Sequence, residues 1–448
     1  MAQGALPGFR DFYPEQFAER AYLQRVWRDV ARRFAFVEYD GPPLEPLELY
    51  TKKSGDEIVG QLYEFEDKGG RRVALRPEMT PSLARMVAAK ANALRKPVRW
   101  FSVPQLFRYE RQQRGRLREH FQLNVDIIGE PDVSADAELL AVAIEIMREV
   151  GLSPDDVRAR VSDRRLLRGL LTALGVSDEQ APAAFAVIDK LERQPRDVSR
   201  EKLSAAGLEA PSIERLLELM SGATLDTIAR DYGSHADVAE RVADLRRYFD
   251  QLDRLGVANW VSLDLTIVRG LAYYTGIVFE LFDAKGELRA ICGGGRYDTL
   301  LKSLGDVDLP ALGFGMGDVV LTELLRDRGY LQEHASVAQP DFWVATTDDA
   351  QREHAVSVAT ALRRAGASVE YALRAQSVSK QKKASHSAGA TYFVTLASDF
   401  EASHAVTVDP FAETATPTLA ELVGAPPVTI ERLVATVRDN PQLLSSTL

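Results

Sequence analysis

The stretch from residue 121 to residue 128 constrains the fold more than any other, because its apolar and polar side chains alternate. The apolar positions are Phe121, Leu123, Val125 and Ile127, and the polar positions are Gln122, Asn124 and Asp126. Alternation with a period of two places the two sets on opposite faces of a half-buried β-strand. Such a strand needs partner strands and a covering layer, so the sequence predicts a sheet that presents a polar face here.

An arginine-rich loop joins this strand to an earlier predicted strand, Trp100 to Tyr109. Its charged residues include Arg108, Arg111, Arg114, Arg116 and Arg118, with Gly115 at the tip. Guanidinium groups bind phosphate oxygens in bidentate fashion, so the hairpin suits a polyanion beside a small polar ligand on the strand face. A solvated basic hairpin without a ligand is the alternative, and the hairpin alone does not decide between the two.

Length and composition indicate an ordinary globular protein of two or three domains. The chain has 448 residues, of which 46% are hydrophobic and 27% are charged. No apolar stretch approaches the ~20 residues of a membrane span, and no secretory signal is visible. The single cysteine, Cys292, excludes an internal disulfide and a cysteine-based metal cage, and it fits a reducing cytoplasm.

The net charge of −10 argues against a general nucleic-acid coat protein. A nucleic-acid partner would have to be met by local basic patches. The arginine hairpin is one such patch, and Lys380, Lys382 and Lys383 form another, for which a solvated face is the alternative. The six histidines are scattered, and neither a zinc-ligand spacing nor a Gly-x-Ser-x-Gly nucleophile elbow is present.

A predicted hairpin over residues 61–75 leads to a candidate ligand-binding carboxylate. Glu78 lies at the corner between the second strand and a helix that Thr80 and Pro81 begin. Its alternative role is to stabilise the helix N-terminus electrostatically.

Glycines mark the second half of the chain. The predicted strand 290–298 contains Gly293-Gly-Gly295 followed by Arg296, and residues 313–317 (Gly-Phe-Gly-Met-Gly) lead into a helix that begins at Asp318. Glycines allow a ligand to approach the backbone closely, and a helix N-terminus favours an anion. No Gly-Lys-Ser/Thr follows, so this is not a Walker A loop.

These motifs resemble those of a known family. Arg108-Tyr-Glu110 with the loop to Phe121 resembles motif 2 of the class II aminoacyl-tRNA synthetases, and residues 8–43, a predicted helix and extended segment, resemble the dimer-forming motif 1. Residues 269–276 (Arg-Gly-Leu-Ala-Tyr-Tyr-Thr-Gly) and 293–298 (Gly-Gly-Gly-Arg-Tyr-Asp) resemble the two signatures of histidyl-tRNA synthetases. The resemblance covers nearly the whole chain and is closest to the subgroup with Arg-Gly-Leu-Ala-Tyr-Tyr, found in some bacteria and in plant organelles.

The resemblance implies an α+β fold, in which a class II antiparallel-sheet catalytic domain carries a helical insertion and precedes a C-terminal α/β anticodon-binding domain. The implied boundaries are 1–152 and 256–332 for the two parts of the catalytic domain, 153–255 for the insertion, 333–340 for a linker and 341–448 for the anticodon-binding domain. It implies a cytoplasmic homodimer that binds ATP, with Mg²⁺ bridging the outer phosphates. The implied activity forms histidyl-adenylate from L-histidine and transfers histidine to the 3′ end of tRNA(His).

The resemblance also assigns residues. Those implied for histidine are Glu78, Met79, Thr80, Arg108, Gln122, Asp126, Arg269, Tyr273 and Tyr274, and of these Arg108 and Arg269 are implied to be catalytic at the α-phosphate. Those implied for ATP are Arg108, Glu110, Arg116, Phe121, Gly315 and Gly317. Those implied for tRNA are Arg111, Gln113, Arg118, Lys380, Lys382 and Lys383. No protein cage for a metal is implied.

Two positions depart from the family pattern. Ala272 stands where the signature more often has Asp, and Val320 stands where motif 3 usually ends in an arginine under the ATP. We hypothesise that Arg116 in the motif 2 loop compensates for Val320. The alternative for the whole chain is a non-catalytic paralogue that regulates the ATP phosphoribosyltransferase of histidine biosynthesis, although such proteins usually lack the domain predicted from Asp341.

Overall fold

The computed structural model describes residues 4–51, 59–268, 273–331, 335, 337–348, 350–411, 419 and 427–444. It divides into two compact units, residues 1–336 and 337–448. The division falls within the stretch 333–340, where the sequence changes character between two predicted domains.

The first unit is organised around strands. Its described strands are β1 (Val37–Glu38), β2 (Leu44–Pro46), β3 (Tyr63–Glu66), β4 (Arg72–Leu75), β5 (Val98–Ser102), β6 (Gln105–Phe107), β7 (Glu119–Ile128), β8 (Val157–Asp163), β9 (Val261–Leu263), β10 (Ile277–Asp283), β11 (Cys292–Arg296) and β12 (Ala311–Gly317). Nine of these described strands form one large sheet in the order β1-β5-β7-β12-β11-β10-β8-β9, with β6 also paired to β7. Within that sheet the pairs are antiparallel, except the parallel edge pairs β1–β5 and β8–β9. The antiparallel-rich sheet agrees with the predicted fold class.

Helices cover the sheet. The described helices of this unit are α1 (Pro14–Arg33), α2 (Glu48–Thr51), α3 (Thr80–Lys90), α4 (Val133–Glu149), α5 (Arg164–Ala173), α6 (Ala181–Ile188), α7 (Arg196–Ala205), α8 (Ala210–Met220), α9 (Leu225–Tyr232), α10 (Ala236–Arg254), α11 (Leu300–Gly305) and α12 (Asp318–Asp327). Helices α1 and α4 pack against β7 and each other, and Trp27, Ile144 and Val125 lie in one continuous buried core. One face of β7 is thereby covered by apolar side chains.

The alternation predicted for β7 is present. The side chains of Leu123, Val125 and Ile127 pack in the main core. Because side chains alternate along a strand, the polar side chains between them lie on the opposite face. The preceding strand predicted over residues 100–109 is instead two strands, β5 and β6. Pro104 lies between them, and proline interrupts a strand because it has no N–H to donate to the ladder.

The segment predicted as helical from residue 153 begins with a strand. All seven residues of β8 pair with β10, from Asp163 opposite Ile277 to Val157 opposite Asp283, and the six helices α5–α10 follow. The alternation of buried Val157, Ala159 and Val161 with arginines was the signal for this strand. Because β8 belongs to the large sheet, the helical part starts at Arg164, and its core is continuous with that of the sheet.

The second unit is a smaller α/β structure. Its described elements are β13 (Phe342–Ala345), α13 (Arg352–Arg364), β14 (Val369–Tyr371), α14 (Val378–Ser387), β15 (Tyr392–Leu396), α15 (Phe400–Ser403), β16 (Ala405–Pro410), β17 (Val428–Thr429) and α16 (Ile430–Asp439). The strand order is β14-β13-β15-β16-β17. Strand β13 runs parallel to both neighbours and the remaining pairs are antiparallel, so the sheet is mixed. In the described parts of both units, we find no helix with the length and apolarity needed to cross a membrane.

Candidate active site

A cavity of about 760 Å³ opens on the polar face of the large sheet. Its floor comes from neighbouring strands and includes Gln122, Gly293 and Gly315. The loop between β6 and β7 forms one wall, and the turn 284–291 between β10 and β11 forms another. The first turn of α12 and residues 188–193 close the remaining sides.

The floor is flat because glycines stand opposite the polar residues of β7. Gly313 pairs with Asp126, and Gly315 pairs with Asn124. A Cβ added to Gly315 would lie 2.8 Å from Cδ of Gln122, and one added to Gly313 would collide with the carboxylate of Asp126. The glycines are therefore required so that the side chains of Gln122 and Asp126 can lie across the neighbouring strand.

A buried tyrosine–carboxylate network lies on the same face. The hydroxyl of Tyr273 donates to Oε2 of Glu78 at 3.0 Å, and the hydroxyl of Tyr297 donates to Oδ1 of Asp126 at 2.5 Å. The two tyrosine rings meet edge to face, with centroids 5.9 Å apart. Burial and the nearby carboxylates hold the pKa of both tyrosines well above the usual value, so both hydroxyls remain donors. Thr80 also hydrogen-bonds to Tyr273.

Asp126 in this network titrates near neutrality. Burial raises its pKa to about 7, and the hydrogen bond from Tyr297 opposes the rise. A carboxyl group with this pKa accepts or donates a hydrogen bond according to its protonation state. It can therefore match a small ligand whose own ring titrates in the same range.

The loop base connects the network to the cavity. Nε of Arg108 donates to the carbonyl of Pro77 at 2.9 Å, which places this cavity-lining guanidinium beside the corner that carries Glu78. Glu110 is buried, with 7% of its surface exposed, and its Oε2 lies 2.5 Å from Nε of Arg116. Arg108, Glu110 and Arg116 all line the cavity, so the structure brings together these three predicted ATP contacts.

The loop tip is docked on helix α12. Arg114 pairs with Glu323 at 3.3 Å and with Asp327 at 2.9 Å, and the amide of Gly115 donates to Glu323. A Cβ on Gly115 would lie 3.1 Å from Cγ2 of Val320. Val320, at the position expected for the motif 3 arginine, therefore packs under the tip while also lining the cavity.

His120, and not Phe121, belongs to the cavity wall. The ring of Phe121 lies on the other side of β7, 6.1 Å from the ring of Phe12, with the guanidinium of Arg20 4.6 Å away. The expectation that Phe121 contacts ATP is therefore corrected. Neighbouring residues of a strand point to opposite faces, and in β7 it is His120 whose side chain faces the cavity. Burial, together with Arg108 and other nearby arginines, lowers the pKa of His120 to about 3, so its ring is neutral.

Other predicted residues lie apart from the cavity. The side chain of Met79 is fully buried, within 4.0 Å of Arg76, so its sulfur does not face a ligand. Tyr274 is buried with the apolar residues of α3 and α11. Arg118 folds back, with its guanidinium 4.1 Å from the ring centroid of Tyr109, whereas Arg111 is exposed.

Three predicted residues belong to the second unit, and others lie outside the described part of the chain. Lys380, Lys382 and Lys383 are exposed on α14, while Gln381 between them is buried. Arg269, predicted to be catalytic, and Ala272 lie outside the described residues.

Arg296, which follows the glycine triplet, is paired with another buried side chain. It is 3% exposed and donates to the carboxylate of Asp136 in α4, which is 4% exposed. It also donates to the carbonyl of Glu130 at 3.0 Å. Arg296 thereby joins β11 to the first turn of α4, and its guanidinium is engaged inside the protein.

Sequence reasoning missed two kinds of site residue. Tyr297 lies within the signature at residues 293–298, next to Arg296. Nothing in the sequence around it indicated a contact with Asp126. Arg160, Arg193 and Arg289 line the cavity but stand outside the motifs, so only the fold brings them to it. Among the described residues, no group of three or more His, Cys, Asp or Glu side chains could hold a metal ion.

Comparison with known proteins identifies the family. A model of the histidyl-tRNA synthetase family matches residues 8–318. The histidine–tRNA ligase of Opitutus terrae is 46% identical over 389 residues, which cover 86% of this chain and 89% of that protein. The chloroplastic/mitochondrial histidine–tRNA ligase of Arabidopsis thaliana is 44% identical over 369 residues, which cover 82% of this chain and 75% of that protein.

A solved structure shows the same fold. Histidyl-tRNA synthetase from Nostoc sp. superposes with a TM-score of 0.80 at 23% identity, and the match covers 98% of this chain and all of that chain. The family model spans more than half of the sequence, and the relatives match most of its length at more than 40% identity. The chain therefore belongs to the histidyl-tRNA synthetase family.

Proposed function

We propose that this chain is a histidine–tRNA ligase, which activates L-histidine with ATP and transfers it to the 3′ end of tRNA(His). One observation carries the proposal within the family assignment: a guanidinium-lined cavity adjoins a buried tyrosine–carboxylate network. The hydrogen bond from Arg108 to the carbonyl of Pro77 joins the two, next to Glu78. This arrangement suits a nucleotide and a small titratable amino acid held side by side.

In the first half-reaction, a carboxylate oxygen of histidine attacks the α-phosphorus of ATP. The bond to the bridging oxygen breaks, pyrophosphate leaves, and histidyl-adenylate forms. Arg108 and Arg269 hold the α-phosphate and stabilise the charge that develops on it. Glu110 receives the adenine amino group, the neutral ring of His120 lies against the base, and Arg116 contacts the outer phosphates over the floor formed by Gly315 and Gly317.

The network selects histidine. Glu78, Thr80 and Gln122 bind the polar end of the amino acid, and Tyr273 orients Glu78. Asp126, fixed by Tyr297, hydrogen-bonds the imidazole, and Tyr274 supports the pocket from behind. Carboxylate partners suit a cationic amine and a ring N–H, since both are donors.

In the second half-reaction, a ribose hydroxyl of the terminal adenosine attacks the carbonyl carbon of the adenylate, and AMP leaves. The exposed Arg111 and the tip residue Gln113 face the acceptor end, and Lys380, Lys382 and Lys383 contact phosphates of the tRNA. We assign residues 341–448 to anticodon binding and the inserted helices α5–α10 to the acceptor arm.

Several finer features belong to the same proposal. The chain acts as a cytoplasmic homodimer through residues 8–43, and it belongs to the subgroup with Arg-Gly-Leu-Ala-Tyr-Tyr at 269–274. The described side chains fit a metal that arrives with the nucleotide better than one held by the protein, because no cluster of ligating side chains gathers there. Mg²⁺ so bound would neutralise charge on the outer phosphates of ATP.

Histidine-dependent exchange of pyrophosphate into ATP, followed by charging of tRNA(His), tests the proposal. We expect exchange with histidine and none with other amino acids, and then formation of histidyl-tRNA. A well-folded preparation that binds histidine but shows neither reaction would refute the ligase and favour the regulatory paralogue. Addition of ATP phosphoribosyltransferase would then test that alternative directly.

A further inference from the structure

The turn between β10 and β11 places an arginine on the cavity wall, in contact with the loop tip. Arg289 lies in this turn, lines the cavity and donates a hydrogen bond to Oε1 of Gln113. Gln113 and Arg116 are joined by a β-bridge across the base of the tip. Arg289 thus reaches the arginine loop from the side opposite to helix α12.

Arg289 lies in a locally cationic environment. Its pKa is lowered by burial and by the charges of Arg116 and Arg193, and only Glu110 opposes this effect. Glu110 is itself engaged with Arg116 at 2.5 Å. Within the described ranges no carboxylate forms an ion pair with Arg289, and its one hydrogen-bond partner there is a neutral amide. A multiply charged anion bound here would be attracted by all three guanidinium groups.

Helix α12 contributes no cation to the described cavity lining. It presents Val319 and Val320 to the cavity, and Val320 lies under the loop tip at Gly115. Arg289 lines the same cavity and contacts the loop tip through Gln113, so it is positioned to supply a positive charge that α12 does not.

We propose that Arg289 binds the outer phosphates of ATP and takes the place of the arginine that Val320 replaces, with Gln113 holding its guanidinium in position. The inference rests on the proposed ligase function, and it revises the hypothesis that Arg116 alone compensates. The triphosphate is favoured over a tRNA phosphate because its outer groups carry the highest charge density. The planar guanidinium can bind two phosphate oxygens at once.

The test compares Arg289→Ala and Arg289→Lys with Lys285→Ala, a matched control that removes an exposed cation from the same turn. In histidine-dependent ATP–pyrophosphate exchange, Arg289→Ala should raise KM for ATP by roughly 10–100-fold and leave KM for histidine unchanged. Lysine is a point charge without the bidentate fork, so Arg289→Lys should lie between the two. Lys285→Ala should behave as wild type.

Calorimetric titration separates the role of Arg289 from activity. Arg289→Ala should lose affinity for ATP but retain affinity for AMP, which lacks the outer phosphates. This readout holds even if wild-type exchange fails, in which case the ligase proposal falls and the binding proposal is still decided.

Two results would overturn the inference. Equal losses of affinity for ATP and for AMP in Arg289→Ala would show that Arg289 only supports the loop tip. Normal ATP binding and exchange, combined with defective charging of tRNA, would assign Arg289 to the nucleic acid instead.

Discussion

The buried pair Arg296–Asp136 offers a quantitative test of how β11 is joined to α4. Both side chains are nearly inaccessible, and Nε of Arg296 lies 3.2 Å from each carboxylate oxygen of Asp136. Arg296→Met leaves a buried carboxylate without its partner, and Asp136→Leu leaves a buried guanidinium. Each single variant should lose about 3–5 kcal/mol of unfolding free energy. The double variant buries neither charge. Its loss of unfolding free energy should therefore be smaller than the sum of the two single losses by about 2–3 kcal/mol.

The pH dependence provides a second signature. Burial raises the pKa of Asp136 to about 6, and Arg296 opposes that rise. Because the folded pKa exceeds the unfolded value of about 3.9, this group makes stability fall as pH rises from about 4 to 6, after which its contribution levels off. Without Arg296 the folded pKa is higher still, and stability continues to fall above pH 6. The cost of Arg296→Met should thus be larger at pH 8 than at pH 5.5, by at least about 1 kcal/mol.

Urea unfolding followed by tryptophan fluorescence measures both effects. Trp27, Trp100 and Trp260 lie in the first unit, and Trp343 lies in the second, so the signal reports mainly on the unit that holds the pair. Single losses that add in the double variant, and that do not change between pH 5.5 and pH 8, would refute the assignment of a coupled buried ion pair. Activity at 25 °C serves as the control for correct folding of each variant.

Three further predictions concern the site. Tyr273→Phe removes the donor to Glu78 and should raise KM for histidine about 10-fold in the exchange assay, with KM for ATP unchanged. The folded pKa of His120 is about 3, below the unfolded value of about 6.5, so the wild type loses stability as pH falls from about 6.5 towards 3. His120→Phe lacks this loss. Between pH 7 and pH 5, its unfolding free energy should therefore gain about 1–2 kcal/mol relative to wild type, as measured by thermal or urea unfolding. Replacement by alanine of the three exposed lysines on α14, Lys380, Lys382 and Lys383, should raise KM for tRNA severalfold in charging assays. It should also weaken the salt dependence of this KM without slowing ATP–pyrophosphate exchange.

The sequence predicted those parts of the fold whose pattern is local. Three features follow from short-range periodicity and turn chemistry. They are the alternation in β7, the glycine-rich residues 313–317 that lead into α12, and the mixed sheet after residue 341. The start of the helical segment was wrong because β8 is only seven residues long and carries arginines between its buried positions. Its strand character depends on pairing with β10, more than 110 residues later in the chain.

The site could be predicted only as far as its motifs extend. Arg108, Glu110 and Gln122 could be predicted together because they fall within one hairpin, and all three line the cavity. Phe121 was misassigned by a register shift of one residue, and such a shift exchanges the two faces of a strand. Arg289 could not be found, since its contact with Gln113 joins two loops that are 176 residues apart. No local pattern encodes a contact of that kind.

The contacts that hold the loop tip bear on the proposal that one loop binds both ATP and tRNA. The Arg114 side chain is 61% exposed, so each of its ion pairs with α12 contributes only about 0.2–1 kcal/mol. Further described tip contacts are the Gly115–Val320 approach, the hydrogen bond from the Gly115 amide to Glu323 and the hydrogen bond between Gln113 and Arg289. These contacts order the loop before the nucleotide binds, which lowers the entropic cost of binding. Because these contacts are weak, we expect the tip to lift more easily than the buried base with Arg108 and Glu110 if it meets the acceptor end of tRNA as proposed.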